Sequence, residues 1–264
     1  MYVDAHLHLY DIAECLQFER TALERAFCFD SFSFCTSSCS KSEFEYSAEF
    51  CSEKNLNAFF SFGVHPQNPT TQELSTLEHL LQTKRLDAIG EIGFDLYDEY
   101  FASLLHEQKE VWNIQLELAM QYDVPIIVHL RKSNHLLFTY LKQLKKIKAV
   151  IFHSWPSGSV EALSLLKKGV NAYFSVGKAL LRGKKSVYDL VRTIEVSHLL
   201  TETDAPYMTL LDEPFSIPSD IKKVVAELYR VKQEKNRDSK ITEDAMSAKI
   251  EKNFFSIFYR KDYS

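Results

Sequence analysis

The 264-residue chain is predicted to be an α/β protein built as a single (β/α)8 barrel of the TIM type, on three observations. Eight short β-leaning apolar runs recur along it with helix-period segments between them, the alternation that produces a parallel sheet. The runs are apolar nearly throughout, as expected of strands buried on both faces. Most of them also end on a histidine or a carboxylate, the first and the eighth included. Only a closed barrel brings those two ends side by side, because its functional groups gather at the C-terminal ends of its strands.

The runs can be taken in order. MYVDAH (1–6) carries His6 and, past one leucine, His8. AFCFDSFSF (26–34) is the second, and AFFSFGV (58–64) leads into His65 and Pro66. DAIGEI (87–92) holds Glu91 in the stretch IGEIG. PIIVHL (125–130) ends near His129 with Arg131 just beyond, and AVIFH (149–153) ends on His153, followed by Trp155. NAYFSV (171–176) precedes Lys178, Arg182, Lys184 and Lys185, and HLLTETD (198–204) ends on Glu202 and Asp204, with Tyr207 beyond. Between them, Val111, Ile114, Leu118 and Tyr122 form one apolar helical stripe. Ile221, Val224, Val225 and Leu228 form another, and Ile250, Phe254, Ile257 and Phe258 a third. There is no Gly/Ser/Pro-rich linker and there are only seven glycines, so one domain over residues 1–264 is expected.

Composition narrows the function classes. At 45% hydrophobic and 25% charged the chain is ordinary for a globular protein. No apolar run is long enough for a bilayer and no basic–apolar leader opens the chain, so a cytoplasmic protein without membrane attachment is expected. The formal charge of −5 argues against holding nucleic acid by bulk charge; such contact would rest on a few cations or on metal. The five cysteines (Cys15, Cys28, Cys35, Cys39, Cys51) are odd in number and without paired CxxC spacing, so they read as reduced thiols.

His6 and His8 are two apart, so on a strand their imidazoles face the same side. One strand presenting two nitrogen donors is half of a metal site. Each of the other polar residues has an ordinary explanation: His65 as a turn residue, His129 and His153 as core histidines, Glu91 as a helix-cap partner and Asp204 as a cap. A lone histidine or carboxylate at the end of a buried apolar strand is costly without a partner, and a shared cation removes that cost for all of them at once. The oxygen and imidazole donors, with no cysteine among them, suit Mg²⁺, Mn²⁺, Zn²⁺ or Ni²⁺.

The stretches DAHLHL, GVHP, IGEIGFDLY, VPIIVHLRKS, FHSWPSG and TETDAPYM, closed by IEKNFFSIF, run in order from residue 4 to residue 258. In these the chain resembles the TatD-family metal-dependent hydrolases, the TatD-related deoxyribonucleases within the amidohydrolase-like barrels. The resemblance implies that His6, His8, Glu91 and Asp204 hold one divalent metal ion. It implies that Glu91, bridging, holds a second with His129 and His153. The implied activity is cation-dependent hydrolysis of DNA, often 3′→5′ exonucleolytic. Two departures bear on substrate preference: Trp155-Pro156-Ser157 after the sixth run, and MTLLDEPFSIPSD after Tyr207, which lacks the Arg-Asn segment common there.

In such a site two cations about 3.5–4 Å apart polarise a phosphoryl oxygen and lower the pKa of a bound water. Asp204 is then the natural general base, and Glu91 the catalytic bridge. Arg131, on the same side of its strand as His129, can grip a phosphate. Lys178 and Arg182 follow strand seven, where barrels often bind phosphate. Tyr97, Trp155 and Tyr207 can stack on a base or pack the rim. Asp4, Asp95, Glu202 and His65 read as groups that orient ligands or contact substrate. The expected partner is DNA or a small phosphoester, with the protein a monomer or weak dimer. The alternatives are hydrolysis of a small phosphoester, amide or aminoacyl ester, and a metal-retaining scaffold without turnover.

Overall fold

The computed structural model describes residues 1–29, 31–235 and 242–258. Its centre is one parallel sheet of eight strands in sequential order: β1 (Tyr2–Leu7), β2 (Phe32–Ser38), β3 (Asn57–Phe62) and β4 (Ala88–Asp95), then β5 (Ile126–Arg131), β6 (Val150–Phe152), β7 (Ala172–Val176) and β8 (Leu199–Thr201). Helical connections separate the strands, so each strand lies beside the next and the sheet curls into a nearly closed barrel. The predicted (β/α)8 fold is the observed one.

The seam between β1 and β8 is stitched at the side where function gathers. Asp4, fully buried in β1, accepts hydrogen bonds from the Thr203 N–H (3.0 Å) and hydroxyl (2.6 Å) and from the His6 N–H (3.2 Å). The Thr201 hydroxyl donates to Val3 O at 2.8 Å, the Asp204 N–H to His6 O at 3.0 Å, and the His8 N–H to Ala205 O at 2.7 Å. Burial raises the Asp4 carboxyl well above its ordinary value, although the Thr203 and His6 bonds oppose the shift. These bonds hold the ends of the first and last strands together and satisfy backbone groups that a missing ladder would leave orphaned.

Two expectations are corrected. The second strand begins at Phe32, whereas the run at 26–34 predicted a start six residues earlier; Asp30 within that run lies outside the described residues. Phe27 instead follows the helix Arg20–Ala26 and packs its ring 4.9 Å from that of Phe34, so the early apolar residues cover the sheet and do not extend it. The helix Leu105–Gln121 buries Gln108, Val111, Trp112, Gln115, Leu116 and Ala119, a face rotated from the apolar stripe. Its two inward glutamines explain the rotation. Gln115 Oε1 accepts from the Val64 N–H (2.7 Å), while Gln108 accepts from the Asp95 N–H (3.0 Å) and donates to Asp95 O (3.0 Å). They pin the ends of β3 and β4, where His65 and Asp95 sit. The stripes at Ile221–Leu228 and Ile250–Phe258 are buried as expected.

All five cysteines are free thiols. Among the described residues, no helix is long and apolar enough to cross a membrane.

Candidate metal centre

Glu91 sits deeper than expected, as the fourth residue of an eight-residue strand that runs on to Asp95. Its flanking glycines let β4 approach β5 closely. Gly93 has φ +147, and a Cβ there would lie 2.0 Å from His129 O; a Cβ on Gly90 would lie 2.6 Å from Ile127 Cβ. Only glycine fits such an approach and such a dihedral. The carboxylate is thereby carried into the middle of the histidines.

Each Glu91 oxygen faces a different set of them. Oε2 lies 3.3 Å from His6 Nε2 and 3.5 Å from His8 Nε2. The same two nitrogens face Asp204 Oδ1 at 3.5 and 3.6 Å. Oε1 lies 2.8 Å from His129 Nδ1, 3.0 Å from His153 Nε2 and 3.7 Å from His65 Nε2. Oε2 thus stands among His6, His8 and Asp204, and Oε1 among His129, His153 and His65, while His153 also lies close to His6 and Asp204. His65 stands among the nitrogen donors, closer to the centre than an orienting role requires.

The donors fit divalent cations. Bonds of about 2.0–2.2 Å to one ion put neighbouring ligand atoms roughly 3–3.5 Å apart, the spacing seen here. His6 Nε2 is fully buried, makes no hydrogen bond, and points at two carboxylates. Leaving such an atom unpaired costs about 1–3 kcal/mol, a cost that coordination removes. Burial, aided by His153, keeps His6 below the ordinary imidazole pKa, which favours the neutral, ligating form. Burial pushes Glu91 upward, but His153, His6 and His65 outweigh it and hold the carboxyl well below its usual range. Burial likewise opposes the charge on His153, yet Glu91, Asp204 and Glu202 raise it well above.

Neighbouring residues aim these groups. Ser37 Oγ meets His6 Nδ1 at 3.1 Å and Ser61 Oγ at 2.6 Å, which leaves His6 Nε2 directed at the centre. Asp95 lies 3.2 Å from His129 Nε2 and accepts from Gln67 (2.7 Å) and the Tyr97 N–H (2.8 Å). Against its burial, these bonds lower the Asp95 carboxyl to about 2. Glu202 is buried, accepts from the Ser154 N–H (2.7 Å) and hydroxyl (2.8 Å), and faces His153 Nδ1 at 3.6 Å. Ser154 (φ 44) and Asp204 (φ 55) both adopt the left-handed region, so the turns after β6 and β8 hold strained backbone at the centre itself.

The centre opens into a cleft of about 1030 Å³, larger than most small-molecule sites. Arg131, Tyr97, Arg182 and Tyr207 line it. The Tyr207 hydroxyl donates to Asp11 (2.8 Å), and its ring packs edge-on against His8 at 5.2 Å. Arg182 donates to Thr209 O. One substrate expectation is corrected, and of the two readings open for Trp155 packing is the one observed. Lys178 is fully buried, 2.5 Å from both Glu213 and Asp220, so it braces the segment after β8 and does not meet substrate. Trp155 is buried against Phe152 and Phe174 and donates from Nε1 to Gly158 O, so its ring packs the core and is not open to a base.

Sequence reasoning missed Ser37, Asp11 and Gln67. Ser37 carried a signal, since the end of β2 turns polar (Thr36-Ser37-Ser38) where an apolar strand meets the mouth. Asp11 and Gln67 are loop and helix-start polar residues with no such mark.

Comparison with known proteins bears on this geometry. A model of the family described as TatD related DNase matches residues 3–259. The chain belongs to that family. An uncharacterized metal-dependent hydrolase of Methanocaldococcus jannaschii is 29% identical over 237 residues, covering 88% of this chain and 89% of the relative. A protein of Erwinia amylovora named 3′-5′ ssDNA/RNA exonuclease TatD is 30% identical over 150 residues, 55% of this chain and 57% of the relative. A similar hydrolase of Mycoplasma pneumoniae is 31% identical over 55% of this chain and 59% of its own length, so some of these relatives are matched over little more than half their length. The crystal structure of a TatD homologue from Escherichia coli superposes with a TM-score of 0.81 at 22% identity, covering 98% of both chains.

Proposed function

We propose that this protein, acting as one domain over residues 1–264, is a divalent-cation-dependent phosphodiesterase that shortens single-stranded DNA, in the 3′→5′ direction, in the cytoplasm. The observation that carries the reading is the division of Glu91, whose two oxygens face separate groups of histidines. His6, His8, Glu91 and Asp204 would hold one cation, and Glu91, His129 and His153 a second, with His65 beside it. When bound, such a pair supplies Lewis-acid polarisation of the phosphoryl oxygen and of the attacking water.

The chain's own groups do the rest. Asp204 takes the proton of the attacking water. Burial raises its carboxyl, but His153 and His8 outweigh that and hold it below the ordinary carboxylate value. Its Oδ1 faces His6, His8 and His153, which leaves Oδ2 for that proton. Asp95, Ser37 and Glu202 keep His129, His6 and His153 in their orientations, as groups behind a metal ligand generally do. The acidic chain and the open cleft favour a single strand gripped locally over a duplex held by bulk charge.

The direct experiment incubates end-labelled single-stranded DNA with Mg²⁺ or Mn²⁺ and compares wild type with Asp204→Ala. Stepwise shortening by wild type, slowed about 10³-fold or more in the variant, is the expected result. No cleavage by wild type in either metal would refute the DNA-shortening reading and move the substrate to a small phosphoester or acyl compound.

A further inference from the structure

The cleft walls differ in charge. Arg131 and Lys132 lie at the end of β5 beside Tyr97, and Arg182 and Lys184 lie beyond β7. Across the mouth, on the side of β1 and β2, stand Asp11 and Glu43. Of the two arginines lining the cleft, Arg182 is committed to Thr209 O. Arg131 is not: its side chain is 43% exposed and makes no hydrogen bond to a described residue.

Arg131 is nevertheless held in place. Its guanidinium carbon lies 3.9 Å from the centre of the Tyr97 ring. The next residue, Lys132, adopts φ 55, stands over the same ring at 4.8 Å and donates from Nζ to Tyr97 O at 2.8 Å. Tyr97 is in turn fastened through its N–H to Asp95 Oδ1 at 2.8 Å, and the Leu96 N–H donates to Arg131 O at 2.8 Å. A stacked guanidinium keeps its in-plane N–H donors available, and those donors match the oxygens of a phosphate. Among the described residues, the carboxylate paired with it is Asp95, 4.0 Å away and already shared by His129 and Gln67.

Arg131 stands two residues beyond His129 on the same strand, on the order of 6–7 Å further out along β5. His129 and Asp95 stand between its guanidinium and Glu91 (Glu91 Oε1 to His129 Nδ1 2.8 Å, His129 Nε2 to Asp95 Oδ2 3.2 Å, Asp95 Oδ2 to Arg131 Nη1 4.0 Å), which sets it outside the ligand groups, toward the next phosphate along an extended strand. We propose that Arg131, braced on Tyr97, anchors the phosphate adjacent to the one being hydrolysed. The substrate class is then an oligonucleotide with at least two backbone phosphates, its continuing strand lying along the β4–β5 wall and its terminus toward the acidic wall. This rests on the phosphodiesterase reading above. Tyr97 acts through Arg131 and is a positioning residue.

The test compares wild type, Arg131→Ala, Arg131→Lys, Tyr97→Ala and Tyr97→Phe on two substrates with Mn²⁺. One is a single-stranded oligonucleotide; the other is bis(4-nitrophenyl) phosphate, which has no second phosphate. Arg131→Ala is expected to lose kcat/KM on the oligonucleotide about tenfold or more beyond its loss on the small diester, through KM, as for one charge-assisted hydrogen-bonded contact. Arg131→Lys falls between, and Tyr97→Phe restores much of what Tyr97→Ala loses. In fluorescence anisotropy with a phosphorothioate-protected strand, the slope of log K against log salt falls by about 0.7 in Arg131→Ala, the share of one single-strand phosphate. Equal losses on both substrates, or an unchanged salt slope, would overturn the anchor and leave the phosphodiesterase standing. Failure of wild type to cleave either substrate would overturn both.

Discussion

Two clusters of buried ionisable groups lie on the same rim of the barrel, and they are built to opposite ends. At the candidate metal centre, seven imidazoles and carboxylates crowd together, and His6 Nε2, His153 Nδ1 and the neighbouring Glu202 Oε2 are left without hydrogen bonds. Beside it, Lys178 is buried between Glu213 and Asp220, and Lys223 adds a contact to Asp220 at 2.8 Å. The second cluster is complete by itself: one buried cation, its anions, short contacts. The first is electrostatically unfinished, with nitrogen lone pairs and carboxylate oxygens facing one another across gaps of 3.3–3.6 Å. Buried charge is tolerated only when compensated, so the difference separates a self-contained brace from a set of donors suited to a shared cation.

The comparison breaks most sharply at Glu91. Glu91→Gln removes the anion shared by both histidine groups, and turnover is expected to fall about 10³-fold or more, as when a catalytic group is removed outright. The same variant is expected to lose cation-induced stabilisation. A cation at 100 times its Kd adds about 2.7 kcal/mol to the wild type, read as a rise in Tm by scanning fluorimetry. An equal rise in Glu91→Gln would show that the cation binds elsewhere. The Lys178 cluster should behave the other way. Lys178→Met leaves the buried Asp220 carboxylate with Lys223 alone and is expected to cost about 3 kcal/mol of stability in chemical denaturation, while the cation-induced increment persists. A loss of cation response in that variant would mean that the brace and the centre are one unit.

The smallest effect is in acid. Burial raises the Asp220 carboxyl, but Lys178 and Lys223 outweigh it and hold it below its ordinary value. A group depressed in the folded state contributes its stability fully above the unfolded carboxylate value, about pH 4, and loses it as pH falls through the lower folded value. Wild type should therefore show a steeper decline in stability below about pH 4 than Lys178→Met, whose Asp220 lacks its main partner. Parallel declines would place the acid sensitivity elsewhere in the chain.

Much of this molecule was legible before its fold was known. Strand number and order, the alternation with helices, and the gathering of His6, His8, Glu91, His129, His153 and Asp204 at one mouth all follow from apolar runs ended by metal-ligating residues. What was misread or left open has a common cause. Lys178, Trp155 and the second strand were judged on residue type and on distance from a strand end, and each was decided by neighbours remote in sequence. Lys178 meets acids 35 and 42 residues further along. Trp155 turns inward onto Phe174, and the apolar residues around Phe27 cover β2 from outside.

What the sequence determined by itself is the inventory: eight buried strands, and a set of donors that are too costly to bury unpaired and too regularly placed to be incidental. Periodicity and the price of desolvation act locally, so they can be read along the chain. What only the tertiary structure decided is the allotment of those donors. Close approach at Gly90 and Gly93 puts Glu91 between two histidine groups, the Asp4 seam sets Asp204 against His6, and the stacking of Arg131 on Tyr97 leaves one guanidinium open to the cleft. Such contacts depend on distances of a few ångströms between segments far apart in the chain, and packing alone sets them.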